Sequence, residues 1–372
     1  MEVYLDNAAS TKVDKRVLAK FNNIAETLYG NPSSEHMAGI LAREEIEKAK
    51  NIIGKKINCK SEEVFFTNGA TMSNNVLIQG MLRNQPETVF ITSIVEHNDI
   101  IRLYDWLPYA KQLINVNKNG IIDISELSRH ISKCSRLNIP CLVSIQMANS
   151  ETGIIQPIKL ISKIVHEYNK GYLHVDATQF IPYYPIDVQD FRIDAMSMSG
   201  QKINGLKGTG LLYIRNSIQN KITPIIFGEQ GLIGGTPSTP LIASLGEAFN
   251  IIEYNSSTLE NKRDSLLYFI RDIGGKVIGK IGKNRLPNNI FCRFPGIKGL
   301  DLVNLLNDVN IYIGTGSACS TDSDEPSHVA LAYGLSSEEA LECVRFTICE
   351  ETTEQEIEYT KRMLKSIISL LK

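Results

Sequence analysis

From about residue 60 to 250, short apolar runs alternate with longer stretches whose apolar positions recur at helical spacing. The runs that read as strands are Glu63–Thr67, Thr88–Thr92, Gln112–Val116, Cys141–Ile145, Gly171–Val175, Ala195–Met198 and Gly210–Ile214. Helical stretches separate most of them. One covers Pro157–Asn169, where Pro suits a first turn that needs no amide hydrogen. Strand–helix alternation predicts an α/β fold with a mainly parallel, seven-stranded sheet covered on both faces. Such sheets place their ligands beyond the carboxyl ends of the strands.

After about residue 250 the texture changes. A helical stretch, Thr258–Arg271, leads to strands near Asn289–Phe294 and Val344–Ile348, and an amphipathic helix covers Thr353–Leu371. This reads as a smaller α+β C-terminal domain, with the N-terminal strand packed against it. The expected division is a large domain over 13–250 and a small one built from 1–12 and 251–372.

Composition narrows the function classes. At 372 residues the chain has room for both domains, and 43% hydrophobic with 22% charged residues is ordinary for a globular protein. A net charge of −2 gives no electrostatic footprint for nucleic acid or an anionic membrane. No apolar run approaches the ~20 residues of a membrane helix. The opening Met-Glu-Val-Tyr-Leu-Asp has neither the basic nor the apolar region of a signal peptide, so a cytoplasmic location is expected. Seven cysteines, with no C-x-x-C spacing, predict neither a disulfide framework nor a metal site.

Two segments carry the chemistry. His174-Val-Asp-Ala-Thr-Gln179 reads as a buried strand ending in an acid, and Ser197-Met-Ser-Gly-Gln-Lys202 as a small-residue turn presenting one lysine. Together they suit pyridoxal phosphate: Lys202 for a Schiff base, Asp176 to keep the pyridine nitrogen protonated. Thr67-Asn-Gly-Ala-Thr-Met-Ser73 follows a strand and opens a helix, where free amides can cradle a phosphate through Ala70 and Thr71. An ordinary N-cap turn leaves the same pattern. His97, just past a strand, is a candidate proton shuttle on the ring face. His36, His130 and His166 read as ordinary histidines. Cys319 sits in a run of small polar residues, Gly314 to Pro326, that reads as an exposed loop, where a thiolate can act as nucleophile. Arg345 lies in an apolar strand; a substrate carboxylate and a structural salt bridge explain it equally well.

In combination these segments resemble the cysteine desulfurases of the NifS/IscS group, within the class V aminotransferase family of fold-type I pyridoxal phosphate enzymes. The resemblance rests on Tyr4-Leu-Asp-Asn-Ala-Ala9, Tyr29-Gly-Asn-Pro-Ser-Ser34 with His36, Asn68-Gly-Ala-Thr71, Glu96-His97, Asn149-Ser-Glu-Thr-Gly153, the Asp176 and Lys202 segments, Gly235-Thr236, Gly316-Ser-Ala-Cys319 with Glu325-Pro-Ser327, and the Arg345 strand. It implies that Lys202, His97 and Cys319 are catalytic. It further implies that Ala70, Thr71, Ser199 and Thr236 contact the phosphate, Thr236 across a homodimer interface. By the same resemblance Gln179 is expected to donate to the ring oxygen, Ser150 and Gln201 to complete the cofactor contacts, and Arg345 with Asn149 to bind substrate. The implied reaction converts L-cysteine to L-alanine, leaving a Cys319 persulfide for an acceptor protein in iron–sulfur assembly, tRNA thiolation or DNA phosphorothioation. A selenocysteine lyase, an aminotransferase and a non-catalytic partner-binding homologue are the competing expectations. The chain departs from the group's pattern at Met72, Ser150, Gln201, Ile233, Cys349 and Glu350.

Overall fold

The computed structural model describes residues 1–228, 231–316 and 325–371. Its strands are β1 (Val3–Tyr4), β2 (Val64–Thr67), β3 (Val89–Ser93), β4 (Lys111–Ile114), β5 (Cys141–Gln146), β6 (Gly171–Asp176), β7 (Ala195–Ser199), β8 (Gly210–Ile214), β9 (Lys276–Val277), β10 (Asn289–Arg293), β11 (Ile311–Tyr312) and β12 (Cys343–Thr347). Seven form the central sheet in the order β2-β8-β7-β6-β5-β3-β4. Only β8 runs against its neighbours; the pairs β3–β4, β3–β5, β5–β6 and β6–β7 are parallel. The expected mainly parallel α/β sheet is the one observed.

Side chains of consecutive residues point to opposite faces of a sheet, and both faces here are apolar. Val143, Val175, Met198 and Tyr213 join a core beneath the helices Lys15–Thr27, Met37–Ile57, Ile124–Leu137, Ile158–Val165 and Thr239–Ile251. Leu142, Phe90, Leu212 and Ile214 face the helices Ala70–Asn84 and Asn98–Trp106 on the other side. All six residues of β5 are buried, which is why that strand reads as a continuous run rather than an alternating one.

A second core gathers Val3 and Leu5 with Leu266, Ile290, Leu302, Ile311, Phe346 and Leu364. It lies among β10 and β12, which pair antiparallel with β9 beyond them, and the parallel pair β1–β11. The helices Ser256–Asp272, Gly299–Asp308 and Glu354–Leu371 contribute its other side. The N-terminal strand therefore pairs with residues more than 300 positions away.

Two elements end two or more residues short of the sequence reading. The helix expected over 157–169 ends at Val165, because the chain must turn into Gly171, where a Cβ would collide with the Val165 carbonyl oxygen. The strand expected to reach Val116 ends at Ile114, because the Asn115 amide leaves the ladder and donates to Glu126 Oε2 at 2.8 Å. β9 and β11 are two residues each, too short to show a period. No helix among the described residues is long and apolar enough to cross a membrane.

Candidate active site

Five strands of the central sheet deliver their carboxyl ends to one edge. β2 leads through Gly69 to the helix at Ala70, β3 to Glu96 and His97, and β5 to Ser150. β6 ends on Asp176, and β7 runs into the tight 3₁₀ turn Gly200–Lys202. These ends line a cavity of about 270 Å³ with Ala8, Ala9, Ala70, Thr71, His97, Asp99, Ser150, Asp176, Thr178, Gln179, Ser199, Gln201, Lys202 and Arg345 among its walls. Parallel strands make this convergence inevitable, since they all finish at one edge.

Lys202 Nζ donates to the carbonyls of Ala8 at 2.7 Å and Ala9 at 2.5 Å. Gln179 Nε2 donates to the same Ala8 carbonyl at 3.0 Å, so the N-terminal segment forms one wall of the site. Asp176 is buried; its Oδ1 accepts the Thr178 amide at 2.9 Å and its Oδ2 accepts Asn74 Nδ2 at 3.3 Å. Burial first, then the charge of Asp99, raises its pKa above the ordinary carboxylate value. A cation beside Asp176 would relieve both effects. At the head of the helix Ala70–Asn84, the Ala70 amide donates to Ser199 Oγ at 2.8 Å, while Thr71 is exposed.

Arg345 is buried on β12. Its Nη2 pairs with Asp6 Oδ1 at 2.7 Å and its Nη1 donates to the Ser150 carbonyl at 3.1 Å. Of the two sequence readings, the structural salt bridge is present, and Arg345 also lines the cavity. Its Nε is buried with no hydrogen-bond partner among the described residues, as is Thr178 Oγ1 on the cavity wall.

Behind these lies a polar layer that the sequence does not announce. Asn74 sends Nδ2 to Asp176 and also to Asp99 Oδ2 at 3.1 Å, while its Oδ1 accepts Ser197 Oγ at 2.5 Å. Ser197 Oγ touches His174 Nε2 at 3.1 Å, and His174 Nδ1 meets Ser144 Oγ at 2.8 Å. Ser144 and His174 are register partners on β5 and β6. Glu96, wholly buried, takes Ser93 Oγ at 2.5 Å and the Gln146 amide at 2.7 Å. Glu151 accepts Ser327 Oγ at 2.6 Å, and burial raises its pKa.

The structure thus gathers Ala70, Thr71, His97, Ser150, Asp176, Gln179, Ser199, Gln201, Lys202 and Arg345 around one cavity. Asn149 is not among the walls. Its Nδ2 holds the Val95 carbonyl at 2.8 Å and its Oδ1 accepts the amides of Glu151 and Thr152 at 2.9 and 2.7 Å, so it braces the loop that presents Ser150. Thr236 is exposed and lines a separate groove of about 610 Å³, together with Met72 and Ile233. Cys319 lies outside the described residues. The sequence reading assigns no role to Asn74, Asp99, Glu96 or Glu151; Asp99 lines the cavity, and Asn74 joins it to Asp176. Asn74 lies one helical turn past Ala70 on a buried face, a spacing that could have found it.

Among the described residues no cluster of His, Cys, Asp and Glu could hold a metal ion. The aminotransferase class-V family model matches residues 3–360. Curated relatives include a cysteine desulfurase IscS of Dictyoglomus turgidum, 36% identical over all of this chain and 95% of the relative. Another, from Rickettsia massiliae, is 34% identical over all of this chain and 92% of the relative. A solved NifS-like protein superposes with a TM-score of 0.91 at 31% identity, covering both chains completely. A structure described as SspA in complex with cysteine gives 0.81 at 30% identity, over 94% of this chain and 99% of that one. With the matched residues running through the cavity from end to end, this chain belongs to the class V aminotransferase family, among relatives of the NifS/IscS kind.

Proposed function

We propose that this chain is a cysteine desulfurase, which takes sulfur from L-cysteine, leaves L-alanine, and carries the sulfur as a Cys319 persulfide to an acceptor protein. The observation that carries the reading is the convergence of Lys202, Asp176, His97 and Arg345 on one cavity, in a chain whose full-length relatives are described as cysteine desulfurases.

Pyridoxal phosphate is the cofactor of this family, and the residues present fit it. Asp176 is a buried acid in want of a cation, Thr178 Oγ1 is a buried hydroxyl without a partner among the described residues, and Ala70 heads a helix of 15 residues. Lys202 and Asp176 would hold its aldehyde and ring nitrogen, with Ala70, Thr71 and Ser199 toward its phosphate and Gln179, Ser150 and Gln201 around its rim. When bound, it supplies an electron sink for the substrate's Cα.

The chain's own residues do the rest. Arg345 binds the substrate carboxylate, its guanidinium oriented beforehand by Asp6 and the Ser150 carbonyl. Lys202 and His97 hold and move the Cα proton, both facing the same small volume. Cys319 thiolate attacks the substrate sulfur; the S–S bond forms as the Cβ–S bond breaks, and the electron pair stays with the carbon fragment. Protonation at Cβ and Cα yields L-alanine, so L-cysteine plus Cys319 thiol becomes L-alanine plus Cys319 persulfide.

The working unit of this reading is a homodimer. Thr236 is exposed in its own groove, where it can serve the cavity of a second copy. The first test is alanine production from L-cysteine by the purified, cofactor-loaded protein; none formed ends the reading. Cys319→Ser should keep the cofactor's visible absorbance and lose alanine formation by at least about a hundredfold. Alanine released by that variant at the unsubstituted rate would remove Cys319 from its role.

A further inference from the structure

Resting on that functional reading, we propose that Asp99 is the positioning residue of His97: its carboxylate fixes the imidazole with Nδ1–H toward Asp99, leaving Nε2 to exchange protons, and stabilises the ring when it is charged.

The contact is direct. His97 Nδ1 lies 2.8 Å from Asp99 Oδ1, with His97 capping the helix Asn98–Trp106 and Asp99 in its first turn. The histidine side chain is 35% exposed and the aspartate only 8%, so the acid sits behind the ring, away from solvent. Asp99 is also well supplied with donors. Its Oδ1 accepts the Ile100 amide at 2.8 Å, and its Oδ2 accepts Asn74 Nδ2 at 3.1 Å. Burial opposes its ionisation, yet the hydrogen bond and charge of His97 and the bond from Asn74 outweigh that and hold its pKa below the ordinary value. An ionised carboxylate only accepts, so the proton in the 2.8 Å contact resides on Nδ1. The Asp99 amide approaches the same nitrogen at 3.4 Å, a longer contact that a protonated Nδ1 does not accept.

Other charges face the ring too. Asp176 reaches it from β6 and Glu151 from the loop after β5. Lys202 and Arg345 share the cavity, Glu96 precedes His97 in the chain, and His328 Nε2 meets the Glu96 carbonyl at 2.9 Å. Asp99 makes its contact with the ring directly, at 2.8 Å. Through Asn74 it is also one amide away from Asp176, so one charge biases both the proton carrier and the ring-nitrogen partner.

The test separates this role from the activity. Ring ¹⁵N signals of the six histidines are followed with pH in the cofactor-free, full-length protein, with His97 assigned from the His97→Gln variant. The expected neutral ring carries its proton on Nδ1, and Asp99→Asn moves the His97 titration to lower pH. In the loaded enzyme, the acidic limb of the alanine-forming rate moves the same way, and the rate near neutrality falls about tenfold while the cofactor absorbance persists. A neutral ring protonated at Nε2 in the unsubstituted protein overturns the proposal without any variant having to fold. So does an unmoved titration in Asp99→Asn. If no alanine forms from L-cysteine at all, the functional reading fails, and the ring signals still decide the Asp99–His97 pair.

Discussion

Two buried side chains at the edge of the site act in opposite directions on pH. Burial pushes His174 down to about 3, and its ring, held between Ser144 and Ser197, stays neutral in the fold. Burial pushes Glu96 up to about 8. The folded protein therefore binds fewer protons than the unfolded chain at His174 from about 3 to its ordinary 6.5, and stability from this residue is lost as pH falls through that window. At Glu96 the folded protein binds more protons from 4.5 to about 8, and its contribution is lost as pH rises through that range. Between 4.5 and 6.5 the two oppose each other; above 6.5 only Glu96 acts. Glu96→Gln keeps the bonds to Ser93 and Gln146 available while removing the titration. Its denaturation midpoint should fall less between pH 6.5 and 8 than that of the unsubstituted protein. Parallel slopes in that range would place the alkaline sensitivity elsewhere.

At the scale of elements, the turn between β2 and the helix at Ala70 depends on close backbone approach. Gly69 adopts φ +148°, a left-handed-side conformation open to glycine. Gly210, at the start of β8, pairs with Thr67, and a Cβ on it would lie 2.5 Å from Gly69 Cα, Gly69 N and Thr67 Oγ1. Two of those three are backbone atoms that cannot swing aside. Gly210→Ala should therefore displace the turn that carries Ala70 and Thr71. A stability loss of about 1–3 kcal/mol is expected, together with weaker cofactor binding in a fluorescence titration. A stable variant with unchanged cofactor affinity would show that the turn tolerates the shift.

At the scale of the molecule, the N-terminal segment ties the two cores together. Val3–Tyr4 pairs with β11, Asp6 holds Arg345, and Ala8 and Ala9 hold Lys202. The proposed homodimer adds a second tie, because Lys202 and Thr236 of one chain would then serve different sites. Co-expressing Lys202→Ala with Thr236→Asp chains should restore alanine formation, since one of the two sites in a mixed dimer is intact. Mixed dimers with no more activity than either variant alone would confine each site to a single chain.

The sequence by itself determined the α/β class, the seven strands of the sheet, and the residues that announce their chemistry locally. Lys202 follows Ser-Gly-Gln, Asp176 ends an apolar strand, and His97 lies just past another; each alone has an ordinary reading, and their joint occurrence is what points to one chemistry. Tertiary structure decided what those residues touch. Asn74, Asp99, Ser197 and His174 form one network only because two parallel strands and two helices converge at one edge, and no local period records that convergence. Asn149, which the resemblance implies binds substrate, braces a loop, and Thr236 lines a different groove from the cavity of Lys202. Strand and helix follow from short-range periodicity and excluded volume, which the chain carries in its own order. Partners more than a hundred residues apart are chosen by packing of the whole, and that choice separates a wall of the site from its support.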